Sequence, residues 1–394
     1  MPEPPREIGS EFHWDPAALL GTAQGGGLPA RHELYATGCG ALTSLVRWLA
    51  PRGRLHLPSY FCMGVAEALA ADIPVAWYRH LPDGLGPRWE TLRPAGGDLV
   101  LAQNLFGRDK QAPWNAWIGA HPDITVVEDH SHDPFSGWAR ASTARYAVAS
   151  LRKTLPLPDG GLLWSPRGLE LPRPVGTESM GSQLKLAGML LKSAWLAGRP
   201  IPKESFRALQ LEGEHRLLGS AGPASAVTVA ALPLLDVAGM RATSTSNVRA
   251  LAAALPARTP AWRVLTGGPA DAAPFRLQLV CPSETVRDGL LKHLAGNGIF
   301  APVHWRQDGP GLVSGDEEAA GLASRMLTLP VDHRCGPDDL RRVTEVLAAF
   351  DPEPVKFGDH QLVAGAPTSA DTASANRDAT RGHNFATARD GNHQ

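Results

Sequence analysis

The chain has 394 residues, 43% of them hydrophobic and 20% charged, which leaves room for about two domains with substantial cores. Its 38 Lys and Arg residues nearly balance its 39 Asp and Glu residues; the formal net charge of -1 argues against nucleic acid as a partner. The longest apolar runs fall short of the roughly 20 residues that span a bilayer, and the N-terminus has no signal-peptide pattern, so we expect a cytoplasmic protein without membrane segments.

The first half of the chain has the pattern of βαβ units. From residue 34 onward, short apolar runs alternate with longer amphipathic segments, which predicts a mostly parallel sheet covered by helices on both faces. Helices are predicted at 41–49, 63–70 and 114–120, because their apolar residues recur every three or four positions. Strands are predicted at 54–57, 74–77, 98–102, 125–128, 147–150 and 161–164.

The second half changes character twice. Between 176 and 256 the strand pattern stops, and helices are predicted at 182–196 and 224–255. A strand starting at Phe275, a helix at 284–296, a strand at 327–330 and a helix at 337–350 follow. We therefore predict an α/β fold with a large domain over 1–255 and a smaller α+β domain over 256–350. Residues 351–394 are too polar to build a core, which predicts a disordered tail.

A turn of small residues precedes the first helix. The segment Thr37-Gly-Cys-Gly-Ala-Leu runs directly into the predicted helix 41–49. Backbone N–H groups at a helix N-terminus attract anions, and glycines let a phosphate approach the backbone closely. The segment lacks the spacing of a Walker A loop. It is therefore a candidate phosphate site, although a simple tight turn has the same residues.

A carboxylate and two imidazoles follow a buried strand. The segment Asp129-His-Ser-His132 comes at the end of the predicted strand 125–128, where α/β sheets bind ligands. A metal site using Asp129 or Asp133 with the two histidines lacks further ligands at a recognisable spacing, so we predict no metal. An exposed polar loop is the plain alternative.

A lysine follows the next strand. Lys153 lies among apolar residues in Ser150-Leu-Arg-Lys153, where a lowered pKa would make its amine a nucleophile, whereas a surface lysine would not react. The Ser-x-x-Lys spacing also occurs in serine acyl enzymes, but the Ser-Asp-Asn and Lys-Thr-Gly motifs that accompany it there are absent from this sequence. Together with the candidate phosphate site and Asp129, Lys153 completes the set that pyridoxal phosphate requires: a phosphate site, a partner for the pyridine nitrogen and a Schiff-base amine.

On these motifs the chain resembles the DegT/DnrJ/StrS family of sugar aminotransferases, which are fold-type I pyridoxal-phosphate enzymes, over roughly residues 34–350. The resemblance implies that Gly38 and Cys39 hold the phosphate. Leu57-Pro-Ser-Tyr-Phe-Cys62 resembles the segment that places an aromatic ring over the cofactor. An ungapped alignment puts Cys62 at the aromatic position, with Phe61 and Tyr60 just before it. Phe61 and Cys62 are the predicted cofactor contacts, and which of the three residues stacks on the ring stays open.

The resemblance also assigns the residues that follow the strands. It implies that Asp129 pairs with the pyridine nitrogen, that His132 lies near the phenolic oxygen, that Ser150 contacts the phosphate and that Lys153 forms the Schiff base. His132 replaces the usual glutamine, and Lys153 follows the serine by three residues instead of five, which marks a divergent branch. Gly160-Gly161 matches the pair after the lysine loop.

Three further residues, His304, Trp305 and Arg334, lie in segments that resemble those closing over substrate, where a structural role is equally open. The family's Gly-Tyr-Asn-Tyr-Arg motif, whose asparagine reaches the neighbouring subunit, is reduced here to Gly213-Glu-His-Arg. By sequence, Arg276 and Arg334 are candidate partners for a substrate carboxylate.

The resemblance implies a homodimeric aminotransferase that moves an amino group from a donor such as glutamate to a keto sugar or another small carbonyl acceptor in a biosynthetic pathway. Other pyridoxal-phosphate reactions, such as elimination, decarboxylation, cyclisation or condensation, stay open, because they share the cofactor site. A non-catalytic binding protein of the same fold is a further alternative, against which the presence of both Asp129 and Lys153 argues.

Overall fold

The computed structural model describes residues 6–19, 27–269, 272–274, 276–307, 309 and 311–352. The predicted disordered tail lies outside the described residues from position 353 onward, and so does Phe275, the predicted first residue of a strand.

The described residues form two sheets. The large sheet has seven strands in the order β1-β7-β6-β5-β4-β2-β3, and the small one has three in the order β10-β9-β8. The strands of the large sheet are β1 His32–Tyr35, β2 Leu55–Pro58, β3 Val75–Tyr78, β4 Leu99–Gln103, β5 Thr125–Asp129, β6 Tyr146–Ser150 and β7 Gly161–Trp164. Those of the small sheet are β8 Arg263–Leu265, β9 Leu277–Val280 and β10 Met326–Leu329.

The prediction of a mostly parallel sheet is confirmed. Strands β2 to β6 pair in parallel, and β7 runs antiparallel to both β6 and β1. All six strands predicted in the first half are present within one residue at either end. The sequence pattern missed β1, because three of its four residues are only half buried at the sheet edge and show no apolar run.

Helices cover the sheets. In chain order they are α1 Gly38–Leu49, α2 Met63–Ala70, α3 Gln111–Ala120, α4 Gly137–Arg140, α5 Met180–Leu196, α6 Lys203–Leu217, α7 Ala226–Ala231, α8 Val237–Ala254, α9 Glu284–Gly296, α10 Glu317–Arg325 and α11 Pro337–Ala348.

The predicted helix 224–255 is interrupted. The chain makes a 3-10 turn at Leu232–Leu234, and α8 restarts where the Asp236 side chain accepts the N–H of Gly239 at 2.9 Å. Pro233 lies in this turn, and proline cannot donate a hydrogen bond inside a helix. Helix α6 was not predicted, because its sequence is strongly charged and its apolar stripe is thin.

The small sheet has its own core. Leu279 and Leu329 from the sheet pack with Leu290 of α9, Val343 of α11 and Leu251 of α8 in one buried cluster. Since α8 belongs to the predicted first domain and yet contributes to this core, the boundary at 255 stays a prediction.

Among the described residues no single helix has the length and apolar character for a membrane crossing. Only the bent pair Ala226–Leu234 and Val237–Ala254, which meet at 74°, passes that test, and it does so by length and composition alone. The predicted cytoplasmic location stays a prediction.

Candidate functional site

The predicted site residues lie at one edge of the large sheet. Asp129 ends β5 and Ser150 ends β6, and these strands run in parallel, so both residues lie at their carboxyl ends. Gly38, the first residue of α1, packs directly on Ser150: a Cβ at Gly38 would lie 3.1 Å from the Ser150 Cβ. Ligands bind at this edge in open α/β sheets.

The start of α1 offers hydrogen-bond donors to an anion. Thr37 caps the helix by accepting the N–H of Gly40 at 2.9 Å. First-turn N–H groups of a helix have no intrahelical acceptor, so Gly38 and Cys39 provide donors at this end. Ser150 packs against Gly38 through its backbone and Cβ. The three residues predicted to hold a phosphate are therefore neighbours.

Backbone contact explains the Gly160-Gly161 pair. A Cβ at Gly161 would lie 2.1 Å from the carbonyl oxygen of Thr37, a distance that no side chain tolerates. Gly160 has φ +127°, which favours glycine. The pair lets β7 pass directly beneath the start of α1.

Asp129 keeps hydrogen-bonding capacity. Its Oδ1 accepts the N–H of Ser131 at 2.8 Å, and within the described residues no other hydrogen bond reaches this carboxylate. The residue is 9% exposed. A buried carboxylate with an oxygen to spare can pair with a protonated ring nitrogen.

Lys153 ends the 3-10 turn Leu151–Lys153 that follows β6. Its Nζ lies 3.5 Å from Nε2 of His132 and 5.3 Å from the ring centre of Trp305. Burial lowers the pKa of Lys153, and the nearby charge of Asp129 partly opposes this. A lysine with a lowered pKa has more neutral amine at a given pH, as a nucleophile requires.

His132 is held in one orientation. Its Nδ1 accepts the N–H of Phe106 at 2.9 Å, so the neutral ring carries its proton on Nε2, the atom that faces Lys153. The ring stacks on Phe106 at 5.2 Å and on Trp305 at 5.4 Å between centres. Burial, with the neighbouring charge of Lys153, holds the pKa of His132 well below its usual value, so the ring is neutral.

The other histidine of the motif has a separate place. His130 bonds Glu128 at 2.9 Å, and both side chains are fully buried. The His130 ring packs against Trp138 and Trp164. His130 and His132 therefore have different partners, and only His132 contacts Lys153.

Phe61 and Cys62, the two predicted contacts of the cofactor ring, have different surroundings. Phe61 is 2% exposed and belongs to the core cluster beneath α1 and α2, so the structure does not place it with Lys153. Cys62 caps the start of α2 and interacts electrostatically with Lys153 and Cys39. Burial raises the pKa of the Cys39 thiol to about 11, which keeps it protonated.

Sequence reasoning missed Phe106 as a member of the site. It follows β4 at the same edge as Asp129 and adopts φ +54°, a left-handed conformation uncommon outside glycine. Its position just after a buried strand was the available signal. The predicted Trp305 lies 5.3 Å from the Lys153 amine, and Phe106 stacks on Trp305 at 6.0 Å between ring centres.

A cavity of about 460 Å³ adjoins Lys153. Its wall includes His304 and Arg334, both predicted near substrate, and Arg276. Arg334 is bound by both carboxylate oxygens of Asp332, at 2.8 and 3.0 Å. Lys153 thus borders both the polar sheet edge and a space large enough for a small molecule.

These residues fit pyridoxal phosphate. The start of α1 with Ser150 suits the phosphate, the open oxygen of Asp129 suits the pyridine nitrogen, and the Nε2–H of His132 suits the phenolic oxygen. When bound, this cofactor supplies an aldehyde for amine substrates and an electron sink for the carbanion that forms next to the amine nitrogen.

Comparison with known proteins gave matches in structure only. No family model and no curated protein matches the chain. The putative sugar aminotransferase Spr1654 from Streptococcus pneumoniae in its PMP form is similar with a TM-score of 0.60 and 12% identity, over 87% of this chain and 99% of that one.

Two other solved structures are similar. DesI, determined in the presence of its TDP-sugar product, has a TM-score of 0.54 and 18% identity over 80% of this chain and 79% of its own. A DegT DnrJ EryC1 StrS aminotransferase from Brucella abortus has a TM-score of 0.50 and 15% identity over 80% and 85%. The fold implied by the sequence motifs is therefore confirmed: this chain has the fold of these sugar aminotransferases.

Proposed function

We propose that the protein is a pyridoxal-phosphate-dependent aminotransferase, acting on a keto sugar or another small carbonyl acceptor. One observation carries the proposal: the amine of the half-buried Lys153 lies 3.5 Å from the neutral His132, with Asp129 and the start of α1 at the same sheet edge. The solved structures of similar fold include a PLP form, a PMP form and a TDP-sugar complex of sugar aminotransferases, which supports both cofactor and substrate class.

Each residue of the site has its own role in binding the cofactor or moving a proton. The first turn of α1 and Ser150 bind the phosphate, and Asp129 holds a proton on the pyridine nitrogen. His132 donates its Nε2–H without taking up a charge, because its pKa is low. Lys153 would hold the cofactor through its amine, and the same amine, when free, would move a proton as general base and then acid.

The test is covalent capture. We expect the purified protein with pyridoxal phosphate to show a near-ultraviolet or visible absorbance band that shifts to shorter wavelength with glutamate. After borohydride reduction, peptide mass spectrometry should find the adduct on Lys153. Lys153→Ala should lose both signals. The matched control Lys292→Ala, at an exposed lysine of α9, should keep them.

Three outcomes decide against the proposal. An adduct on another lysine, or no band with added cofactor, would remove the assignment of Lys153. A band that ignores glutamate and every other amino donor tried would keep the cofactor and replace amino transfer by another reaction of the same cofactor.

We also propose that the protein is a homodimer. The resemblance to the aminotransferase family supports this, because its active sites lie at the subunit interface. Sedimentation equilibrium of the full chain gives the mass directly, and a monomer at all concentrations would contradict the proposal.

A further inference from the structure

A chain of opposite charges runs from the lysine turn to the N-terminal segment. Arg152 donates two hydrogen bonds to the carboxylate of Glu214 on α6, at 2.6 and 2.7 Å. Lys185 on α5 lies 3.2 Å from Glu214 and 2.6 Å from Glu11. Four side chains from four parts of the molecule are thus linked in one line.

The line ends beside the reactive amine. Arg152 immediately precedes Lys153 in a three-residue 3-10 turn. The bidentate hydrogen bond from Arg152 to Glu214 therefore restrains the backbone that carries Lys153. All four linked residues line the cavity that Lys153 borders. Their charges sum to zero, two positive and two negative.

The pairs are strong enough to persist at neutral pH. Burial alone raises the pKa of Glu214, but the charges of Arg152 and Lys185 and their hydrogen bonds outweigh it and lower the value to about 2. Glu214 is therefore a carboxylate across the whole range in which an enzyme of this kind works. The Lys185 side chain is only 8% exposed.

We propose that Arg152 and Glu214 are positioning residues for Lys153, holding its turn in place and presenting opposite charges to its amine, with Lys185 and Glu11 as their outer support. This role rests on the proposed function of Lys153 as the cofactor-binding lysine.

Several other groups also face Lys153. Asp129 at the end of β5 and Cys62 at the start of α2 raise the pKa of its amine. His132 lies at 3.5 Å, and His304 lies within electrostatic reach from the segment between α9 and α10. Within this setting, the positive charge of Arg152 lowers the pKa of Lys153 and the negative charge of Glu214 raises it.

Because Arg152 and Glu214 shift the pKa of Lys153 in opposite directions, replacing each of them tests the proposal. In the cofactor-free full chain, the rate at which acetic anhydride labels Lys153 is followed against pH by peptide mass spectrometry, which yields the pKa of its amine. We expect Glu214→Gln to lower this pKa by about half to one unit and Arg152→Gln to raise it by about as much. In the double variant the two effects should largely cancel.

The control is a second ion pair on the same helix. Glu212 and Arg216 of α6 form an exposed pair at 2.6 Å, with side chains 48% and 53% exposed. Glu212→Gln should leave the labelling profile of Lys153 unchanged. A general loosening of α6 would instead alter the profile in the same direction for every variant.

Shifts of the same sign in the two single variants, or no shift in either, would overturn the positioning role. If Glu214→Gln does not fold, Arg152→Gln still decides by its sign, because Glu214 keeps Lys185 as a partner there. Failure of the proposed function is recognised separately: opposite shifts without any pyridoxal-phosphate adduct would keep the coupling to Lys153 and reject the cofactor.

Discussion

Two buried aspartates at the same edge of the large sheet have opposite surroundings. Asp159 precedes β7 and is fully buried; it accepts hydrogen bonds from Ser182 at 2.7 Å, from the N–H and hydroxyl of Ser225 at 2.8 and 2.9 Å, and from the Thr228 hydroxyl. The carboxylate of Asp129 accepts one hydrogen bond among the described residues, from the N–H of Ser131.

The difference separates a structural carboxylate from one that can serve a ligand. The donors around Asp159 join the loop before β7 to α5 and α7, so its hydrogen bonds stabilise the fold. Asp129 is nearly as buried as Asp159 but its carboxylate has fewer internal hydrogen bonds, a condition typical of functional sites. Composition alone does not distinguish them, since each is an aspartate close to a strand end.

The largest expected effect comes from removing the carboxylate of Asp129. Asp129→Ala removes the partner of the pyridine nitrogen, and we expect kcat/KM for amino transfer to fall by about 10²–10³-fold. The melting temperature should change little, because a single hydrogen bond is lost. Steady-state kinetics and thermal unfolding of the same preparation check both statements. A melting temperature that falls as far as that of an Asp159 variant would contradict the comparison.

Removing the carboxylate of Asp159 should instead lower the stability of the protein. Asp159→Ala leaves four donors on three residues without their acceptor, and we expect a loss of about 2–4 kcal/mol in the free energy of unfolding. Urea unfolding measures this value. Asp159→Asn, which keeps one acceptor oxygen, should lose less, and an unchanged stability for the alanine variant would show that water replaces the carboxylate.

Replacing His132 should have a smaller effect on activity than replacing Asp129. His132→Leu removes the acceptor for the Phe106 N–H and the donor that faces Lys153, so we expect activity to fall about 10-fold, the equivalent of one hydrogen bond. His132→Gln retains a donor and an acceptor and should keep more activity. Equal losses for the two variants would argue that the stacked ring matters more than its hydrogen bonds.

The smallest effect concerns pH. Burial lowers the pKa of Lys153, so covalent capture of pyridoxal phosphate should rise with pH and level off below the ordinary lysine value of 10.5. The negative charge of Asp129 opposes this shift, so Asp129→Ala should move the levelling-off to still lower pH. Stopped-flow absorbance across a pH series follows the capture rate. A shift to higher pH would mean that Asp129 does not act on this amine.

Much of the fold could be predicted because the signals are local. Strands such as β4 and β6 are largely apolar runs, since a parallel sheet is buried on both faces, and helices in the first half show regular apolar spacing. The edge strand β1 and the charged helix α6 were missed, because their places depend on partners distant in the chain.

Some residues of the candidate site could also be predicted from local motifs, and others could not. Gly38, Asp129, Ser150 and Lys153 follow directly from motifs at strand and helix ends, because parallel strands bring their carboxyl ends to one edge. Phe61 belongs to the buried cluster beneath α1 and α2, which the local sequence does not reveal, and its contact with the cofactor stays a prediction.

The sequence by itself determined most strands and helices of the first half, the mostly parallel sheet and the presence of a lysine, an aspartate and a small-residue helix start at positions that suit one cofactor. The tertiary structure alone decided which carboxylate is left open, which ring nitrogen of His132 faces Lys153, and that Glu214 and Glu11 reach the lysine turn. The reason is physical: periodicity reports local burial, whereas hydrogen-bond satisfaction and charge pairing depend on residues that meet only after folding.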